Sequence, residues 1–322
     1  MKDIKSKTSY LDFYFPDNET AEAHTVRHFE NETGTGVMHC FHVAPGIQIS
    51  FNKLEMTIAS HPLQVNKDFL QLNYCLDGSY ELRKENGDVS FLGKGDISLS
   101  SMYPNQPMAY VSQCPLGFYK GITILIEIES AQKTLAKSYR DAHIDLKEIR
   151  QRLCADEHIL LIEPHHMLNR CFTELYNADE RIQIPYFYLK IAEILLLVSI
   201  LNETHLRLLQ HFSLKISHRT QDVHRYIVDN PFTQKTISEM SEMFDIAESS
   251  LKRCFKSLTG VSVGTFMKTK RMEAAAELLL QEKDLSINEI SMISGYGNQG
   301  KFSAAFKSVF GMTPFMYRCK HS

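Results

Sequence analysis

The sequence predicts a multi-domain α+β protein with a β-rich N-terminal part, a helical middle segment and an all-α C-terminal part. Short apolar runs separated by turn residues fill residues 37–129, and helix-period patterns with few Gly and Pro follow to about residue 214. After residue 217 a two-helix pattern occurs twice. At 322 residues the chain is long enough for two domains, each with its own core.

Composition excludes several classes of protein. With 43% apolar and 23% charged residues, the chain is typical of a globular protein. The seven cysteines are scattered without a C-x-x-C pair, so we expect reduced thiols rather than a disulfide framework or a zinc ribbon. Residues 1–10 lack the apolar stretch of a signal peptide, and the apolar run Ile194–Leu201 is too short to cross a bilayer. We therefore expect a cytoplasmic location.

The net charge of −3 is unevenly distributed along the chain. From Ser217 onward there are 14 Lys and Arg against 11 Asp and Glu, whereas residues 1–216 have 21 against 27. The basic part is therefore the part that contains the repeated pattern. An excess of three positive charges is modest for a nucleic-acid-binding domain, so the placement of each cation matters more than the total.

The β-rich part contains apolar runs at a regular spacing, which predicts a sandwich or a barrel. Asn86-Gly87 lies between two of these runs and predicts a hairpin, because a type I′ turn needs positive φ at both central residues. The predicted strands are Phe69–Leu76, Tyr80–Leu82, Val89–Leu92, Ile97–Ser101 and Leu116–Ile128.

The middle segment, from Ser130 to about Leu214, is predicted to be helical. Within it, residues 186–208 have an apolar face broad enough to pack on a neighbour as well as on their own domain. Two interpretations of this face stay open: a core helix of the domain, or the contact surface of a homodimer.

The C-terminal part contains two copies of one short unit. Ile237, Glu239, Met240 and Met243 recur 50 residues later as Ile287, Glu289, Ile290 and Ile293. Leu251, Phe255, Lys256, Gly260 and Phe266 recur 51 residues later as Phe302, Phe306, Lys307, Gly311 and Tyr317. This pattern predicts two helix-turn-helix units, and the second helix of such a unit is the one that enters a major groove of DNA.

In the first unit Thr236 is the predicted N-cap, with Glu239 at the capping-box position, and the reading helix is predicted from Glu248 to about Leu258. Arg253 suits guanine and Lys256 suits a phosphate. The predicted DNA-facing residues of this helix are Ser249, Ser250, Lys252, Arg253 and Lys256.

A helix predicted from Val263 to Leu280 joins the two units. Its 18 residues span roughly 27 Å, which is close to the roughly 34 Å between successive major-groove faces. The second reading helix is predicted over Gln299–Val309 after a cap at Asp284 or Ser286 on the preceding helix. Its predicted DNA-facing residues are Gln299, Lys301 and Ser303, with Ala304 beside them and Lys307 as the counterpart of Lys256.

Four stretches of this part carry a family resemblance: LKRCFKSLTGVS, TKRMEAAAELLL, ISGYGNQGKFSAAFK and FGMTPFMYR. They resemble the signature of the AraC/XylS family of bacterial transcription regulators over residues 217–320. The resemblance implies a seven-helix DNA-binding domain, with base contacts at Ser249, Lys252 and Arg253 and at Gln299, Lys301 and Ser303. Ala247 stands where the family usually has a capping Ser, Gly300 lies in the first turn of the second reading helix and Ala304 replaces a frequent Arg. We therefore expect the first unit to dominate specificity.

The β-rich part, with Gly95-Asp96 before an apolar strand, is similar to the cupin-like sensor domain of many members of that family. That similarity implies a small-molecule pocket inside a barrel, a helical dimer interface after it, and regulation of DNA binding by the ligand. Ordinary packing in the core is the alternative role for the candidate pocket residues, which are Tyr74, Leu76, Tyr80 and Tyr119.

A metal-dependent cupin enzyme is a further alternative, because many cupins hold a catalytic metal. The dense ligand clusters are His39-Cys40-Phe41-His42 and His165-His166. On a strand Cys40 and His42 share a face while His39 points away, and no spaced Glu and later His complete a ligand set. We therefore predict no metal site, no cofactor and no catalytic residues.

Together these features predict a cytoplasmic transcription regulator, not an enzyme, that binds promoter DNA as a homodimer under the control of a small-molecule effector. Control by a protein partner without any small ligand is the alternative, and RNA polymerase is a candidate further partner. The predicted domains are a sensor at residues 1–129, a helical dimerisation segment at 130–214 and a DNA-binding domain at 217–322.

Overall fold

The computed structural model describes residues 23–58, 67–83, 87–103, 111–154 and 159–321. The chain divides into two compact units. The N-terminal unit comprises Met1–Ser213 with Ser257–Gly260, and the C-terminal unit comprises Leu214–Lys256 with Val261–Ser322. The N-terminal unit contains an antiparallel sheet and helices, and the C-terminal unit is helical.

The sheet of the N-terminal unit has ten strands among the described residues, and all pairings are antiparallel. Its strand order is β1-β2-β3-β8-β4-β6-β9-β10, and β5 and β7 pair with β4. The strands are β1 (His24–Asn31), β2 (Gly34–Ala44), β3 (Ile47–Glu55), β4 (Phe69–Arg83), β5 (Val89–Gly93), β6 (Ile97–Met102), β7 (Val111–Gln113), β8 (Tyr119–Glu127), β9 (Leu160–Ile162) and β10 (Leu206–Leu208).

Strand β4 differs from the sequence prediction because it is one strand of 15 residues. The predicted runs Phe69–Leu76 and Tyr80–Leu82 are joined through a register shift between Cys75 and Asp77, and Gly78 there has φ 76°. A bulge places turn-forming residues inside a strand without ending it, so a turn was expected where the strand bends. The predicted hairpin residue Asn86 lies outside the described residues.

Two faces of the sheet differ in polarity because side chains alternate along each strand. Ile47 and Ile49 of β3, Leu72 of β4 and Ile124 of β8 belong to one apolar core that also contains residues of the helices after the sheet. The intervening residues of β3 and their neighbours form what we call the polar face: Gln48, Ser50, Asn52, Gln71, Asn73, Ser98, Ser100 and Thr123.

The helices after the sheet are α1 (Ile128–Ser138), α2 (Leu146–Leu153), α3 (His166–Tyr176) and α4 (Gln183–Ser199). The prediction that this segment is helical was wrong at β9 and β10, which pair with each other and, through β9, with β6. Strands of three residues are too short to show a period of two against a helical background, and only tertiary pairing reveals them.

Helix α4 buries one apolar side inside the N-terminal unit. Phe187, Ile191, Ile194, Leu195 and Val198 are fully buried in the apolar core. By length and composition the segment Glu180–Ser199 could cross a membrane, but core helices of globular proteins pass the same test. The apolar segment is thus longer than the eight residues Ile194–Leu201, and 39% of its most apolar 18-residue window is buried.

From Leu214 onward the chain forms seven helices among the described residues. They are α5 (Leu214–Asp229), α6 (Ile237–Met243), α7 (Glu248–Thr259), α8 (Val263–Gln281), α9 (Ile287–Ile293), α10 (Gln299–Phe310) and α11 (Pro314–His321). The predicted reading helices and the joining helix lie within one residue of these bounds.

Two apolar clusters form the core of this helical part. The first contains Val223 of α5, Met240 of α6, and Leu251 and Phe255 of α7. The second is built from α8, α9 and α10, and its buried members are Met272, Ala275, Ala276, Leu279, Ile290, Phe302 and Phe306. Helix α8 contributes Val263, Phe266 and Met267 to the first cluster and residues from Met272 onward to the second, so it connects the two cores.

Candidate DNA-binding interface

The helices before each reading helix start at matching caps. The Thr236 side chain accepts a hydrogen bond from the Glu239 N–H, and the Glu239 carboxylate accepts one from the Thr236 N–H at 2.6 Å. Ser286 and Glu289 form the same pair at the start of α9, at 2.7 Å. In both cases backbone hydrogen bonding lowers the pKa of the Glu. The capping-box pattern therefore fixed both helix starts, and the second cap is Ser286 rather than Asp284.

The turns that follow α6 and α9 have the same hydrogen bonds 50 residues apart. Ile246 N–H donates to the Ser241 carbonyl at 3.0 Å, and Tyr296 N–H donates to the Ser291 carbonyl at 3.0 Å. Each turn also contains one residue with positive φ, Asp245 and Gly295. The internal repeat in the sequence thus corresponds to a repeat of backbone geometry.

Helix α7 has an exposed basic side. Ser249, Lys252, Arg253 and Lys256 are exposed, whereas Ser250 is half-buried. The opposite side of the helix is fixed in the core by Leu251, Cys254 and Phe255, all fully buried. Because one side is anchored, the orientation of the exposed side chains relative to the helix axis is set by packing.

The three cations on this side of α7 differ in their partners. Lys252 Nζ lies 2.5 Å from the Glu248 carboxylate one turn earlier, and its hydrogen bond lowers the pKa of Glu248. Neither Arg253 nor Lys256 has an ion pair or a side-chain hydrogen bond within the part of the chain that the structure describes. These two cations are available to an external anion without loss of an internal contact.

Helix α10 presents fewer cations. Gln299, Lys301 and Lys307 are exposed, Ser303 is half-buried, and the buried Phe302 and Phe306 anchor the helix. The Asn298 side chain accepts from the Lys301 N–H at 2.8 Å and caps the helix. Ala247, the corresponding residue before α7, has no side-chain acceptor, so the two helices begin differently.

The basic residues of α8 are mostly engaged within the protein. Arg271 donates to the Thr233 carbonyl at 2.6 Å and Lys270 pairs with Glu273 at 2.8 Å, while Lys268 is exposed. In the sequence Lys268, Lys270 and Arg271 stand close together on one predicted helix, and nothing there distinguishes them. The sequence could not show that Arg271 holds the loop before α6, because that contact joins residues 38 positions apart.

The four candidate pocket residues of the N-terminal unit pack in two apolar clusters. Tyr74 stacks on Phe172 of α3 with ring centroids 4.9 Å apart, and Leu76 packs against the same apolar core. Tyr80 and Tyr119 lie 5.2 Å apart in a separate small cluster with Met56 and Cys75. These contacts favour ordinary packing for Tyr74 and Leu76, and a role of the four in ligand binding stays a prediction.

The candidate metal ligands have other contacts. His39 Nδ1 lies 3.3 Å from His24 Nε2, His42 Nδ1 lies 2.7 Å from the Gln48 amide nitrogen, and His165 caps α3. Burial raises the pKa of the Cys40 thiol to about 12. Within the described ranges no three His, Cys, Asp or Glu side chains are grouped as metal ligands would be.

Comparison with known proteins finds a family model for the helical C-terminal part of the chain. A family model described as a helix-turn-helix domain matches residues 240–320. The virulence regulon transcriptional activator VirF of Yersinia enterocolitica is 27% identical over 177 residues, which are 54% of this chain and 64% of VirF. The F1 operon positive regulatory protein of Yersinia pestis is 40% identical over 68 residues, 21% of this chain and 22% of that protein.

Among solved structures, that of unsaturated fatty acid bound ToxT from Vibrio cholerae has 16% identity and a TM-score of 0.35, and covers 86% of this chain and 96% of ToxT. The chain spans between 42% and 64% of the length of the first curated relatives that it matches, about half.

Proposed function

We propose that the protein is a sequence-specific transcription regulator of the AraC/XylS type that binds double-stranded promoter DNA, a proposal supported by the helix-turn-helix family model that matches residues 240–320. The observation that carries the proposal is the pair of exposed helix sides on α7 and α10, each following a turn of the same geometry. Such a helix places its outer side chains against base edges in a major groove.

The first reading helix has the stronger set of contacts. Arg253 is exposed and has a guanidinium that can bind both acceptors of a guanine, while Lys256 suits a phosphate. Lys252 would have to give up its ion pair with Glu248 to contact DNA, so its net contribution to the binding free energy is smaller than that of Arg253 or Lys256. On α10, Gln299 suits adenine and Lys301 and Lys307 suit phosphates, with Ser303 at the edge of the exposed side. We assign most of the sequence preference to α7.

The joining helix gives the two readers a fixed spacing. Helix α8 has 19 residues and therefore spans about 28 Å. It shares its apolar residues between the two cores, which makes it a rigid connection. One chain of this kind would read two adjacent turns of duplex, with separate contributions from α7 and α10.

The N-terminal unit is proposed to sense a small-molecule effector in a cupin-like domain and to regulate DNA binding. A protein partner that binds this unit is the alternative signal. The assignment as a regulator rather than an enzyme follows the homologues, which are named as transcription regulators. Because promoter DNA and RNA polymerase are in the cytoplasm, the proposed function places the protein there.

A homodimer is proposed through the outer side of α4. Leu189 and Leu196 are 58% and 40% exposed and lie seven residues apart, and Ile182 and Ile200, which flank the helix, are also exposed. Residues at this spacing form one stripe. The buried side of α4 is a core helix, and its exposed apolar side chains support the proposal of a contact surface.

Selection of binding sites from a pool of random duplexes tests the proposed function. The protein should enrich a defined motif and bind it at least about 10³-fold more tightly than a scrambled duplex at physiological salt. Affinity should fall steeply with salt, because each neutralised phosphate releases counterions. Recovery of no motif, with equal affinity for all duplexes, would contradict sequence-specific regulation.

A further inference from the structure

The segment that leads from β10 to the first helix of the C-terminal unit is docked on strand β5. We call residues 209–212 the strap, and they belong to the N-terminal unit. The Phe212 N–H donates to the Val89 carbonyl at 2.8 Å, and the Val89 N–H donates to the Phe212 carbonyl at 2.9 Å. The end of the strap is therefore paired antiparallel with the start of β5.

Side chains of the strap reinforce this pairing. Phe212 is 6% exposed, and its ring centroid lies 6.1 Å from that of Phe91. One residue earlier, His211 Nδ1 lies 2.6 Å from Ser90 Oγ. Leu209 is 8% exposed and packs in a cluster with three leucines of the sheet, which are Leu82, Leu92 and Leu161. The strap thus combines backbone, polar and apolar contacts with the sheet.

The docked strap is a small element on a larger sheet. It pairs with β5 through a single isolated bridge, and Gln210 and His211 are exposed. Strand β5 itself pairs with β4 over five residue pairs, from Ser79–Gly93 to Arg83–Val89. Segments with short pairing and few buried contacts open at a lower free energy than the sheet that holds them. The strap can therefore leave β5 while the sheet stays intact.

Docking sets the length of free chain before the DNA-binding helices. With the strap docked, Ser213 alone lies between the paired Phe212 and the start of α5 at Leu214. With the strap undocked, the chain is free from the end of β10 at Leu208, so the free stretch grows from one residue to five. At roughly 3.3–3.6 Å per residue, the four added residues extend the reach by about 13 Å.

We propose that the strap controls the reach of the C-terminal unit, so that the docked protein binds paired DNA sites at one spacing and the undocked protein tolerates others. In a homodimer both tethers lengthen together, which adds about 27 Å against roughly 34 Å for one turn of duplex. A second linked site adds affinity only when the tether can span the distance to it.

This inference rests on the proposed DNA binding and homodimer, and it names how the N-terminal unit regulates them. Strand β5 and the strap belong to the same unit, so a signal bound by that unit acts on DNA binding by shifting the strap between its two states. The signal needs a different affinity for the docked and the undocked state, and no contact with DNA.

A reversible cross-link tests the proposal. Ser90 stands opposite His211, beside a hydrogen-bonded pair, so their Cα atoms are about 4.5 Å apart, which a disulfide can bridge. Ser90→Cys with His211→Cys is made in a Cys319→Ser background, which removes the cysteine that is exposed in the described structure. Diamide oxidises the pair and locks the strap, and dithiothreitol reduces the pair and leaves the strap able to open.

The probes are duplexes that carry two copies of the selected motif, with the distance between them increased in single base-pair steps over one helical turn. Away from the preferred spacing, we expect the oxidised protein to lose at least about tenfold more affinity than the reduced protein. A duplex with a single copy should be bound equally in both states, because the reading helices are unchanged. Equal spacing profiles of the oxidised and the reduced protein would overturn the proposal.

Phe212→Ala loosens the strap without a new bond. The Val89 amide, which donates to the Phe212 carbonyl, should exchange with solvent faster, while the amides of β4 stay protected. The variant should then bind the two-copy duplexes with similar affinity at every spacing. Leu208→Ala, one residue before the strap and 61% exposed, is the matched control and should behave as the wild type does. Faster exchange of the Val89 amide with the wild-type spacing preference would contradict the proposal.

Binding of the single-copy duplex separates the two proposals. A protein that prefers no duplex contradicts the proposed regulator function. A protein that recognises the single copy, but has the same spacing profile with the strap locked and free, contradicts only the role of the strap. Selective binding by a protein that stays monomeric on the two-copy duplexes also contradicts that role, because a monomer has no second tether. The cross-linked pair gives this result even if Phe212→Ala does not fold.

Discussion

Asp245 and Gly295 occupy the same position in the turns after α6 and α9, and both have positive φ, 49° and 77°. Their N–H groups make matching hydrogen bonds, to the Glu242 carbonyl at 3.2 Å and to the Met292 carbonyl at 2.9 Å. Asp245 is one of two non-glycine residues with positive φ in the described part of the chain. Its carboxylate lies 3.0 Å from Lys215 of α5, an exposed ion pair that adds little stability.

Gly295→Ala should lower the free energy of unfolding, whereas Asp245→Gly at the equivalent position should change it little. Alanine at φ 77° is strained, and its Cβ would displace the Gln234 side-chain amide, so we expect a loss of about 1–2 kcal/mol. Asp245→Gly removes strain together with a weak ion pair and should be nearly neutral. Thermal unfolding of the two variants checks this, and a Gly295→Ala variant as stable as the wild type would show that the turn adapts freely.

The repeat could be predicted from the sequence, but the backbone conformation could be predicted for only one of its two turns. Gly295 indicated positive φ, whereas Asp245 at the equivalent position did not, because Asp adopts that conformation only when the surrounding structure imposes it. The capping box at Thr236 was predicted, and Ser286 was one of two predicted caps, because a capping box depends on residues three positions apart.

The candidate sites were predictable to the extent that they depend on local periodicity. The exposed sides of α7 and α10 follow from helix spacing around Leu251, Phe255, Phe302 and Phe306. The polar face was missed because it joins β3, β8, β4 and β6, whose order in the sheet differs from their order in the chain. Alternation of Gln48, Ser50 and Asn52 with apolar residues was the available signal, but alone it equally predicts a solvent-exposed face.

Acidification should loosen the core around α5 through His224. Its ring lies 4.8 Å from the Phe266 ring, and burial, aided by Lys270 and Arg225, lowers its pKa to about 4 from the ordinary 6.5. Between pH 6.5 and 4 the native state therefore binds fewer protons than the unfolded state. The contribution of the neutral His224 ring to the free energy of unfolding is complete above pH 6.5 and is lost as the pH falls to 4. The loss is on the order of 3 kcal/mol.

Hydrogen exchange of the α5 and α7 amides at about pH 7 and about pH 4.5, corrected for the intrinsic exchange rate, measures this effect. His224→Gln should reduce the pH dependence, because it removes the titrating group and leaves the carboxylates whose pKa is also lowered, such as Asp245 and Glu248. Equal pH dependence in both proteins would assign the acid sensitivity to those carboxylates.

Leu189→Glu should convert the proposed dimer to a monomer. The side chain is 58% exposed on α4, so a carboxylate there is tolerated in the monomer but repels its copy across a two-fold contact. Light scattering with size-exclusion chromatography measures the mass. Met167→Glu on α3, which replaces a half-exposed apolar residue in the same unit, is the matched control and should remain dimeric. A wild-type protein that is already monomeric at micromolar concentration would exclude this contact.

Arg253→Ala should relax base preference, whereas Lys256→Ala should weaken binding to all duplexes alike. Arg253 is exposed and without an internal partner among the described residues, so its loss leaves the fold intact and costs about 1–3 kcal/mol on the selected duplex. Lys256→Ala should lower the salt slope by about one, because one phosphate contact is lost. Arg271→Ala is the contrasting variant: it breaks the bond to the Thr233 carbonyl, so it should reduce thermal stability as well as affinity. If Arg253→Ala lowers affinity equally for selected and scrambled duplexes, Arg253 contacts phosphate, and the specificity attributed to α7 must come from Ser249 and Lys252.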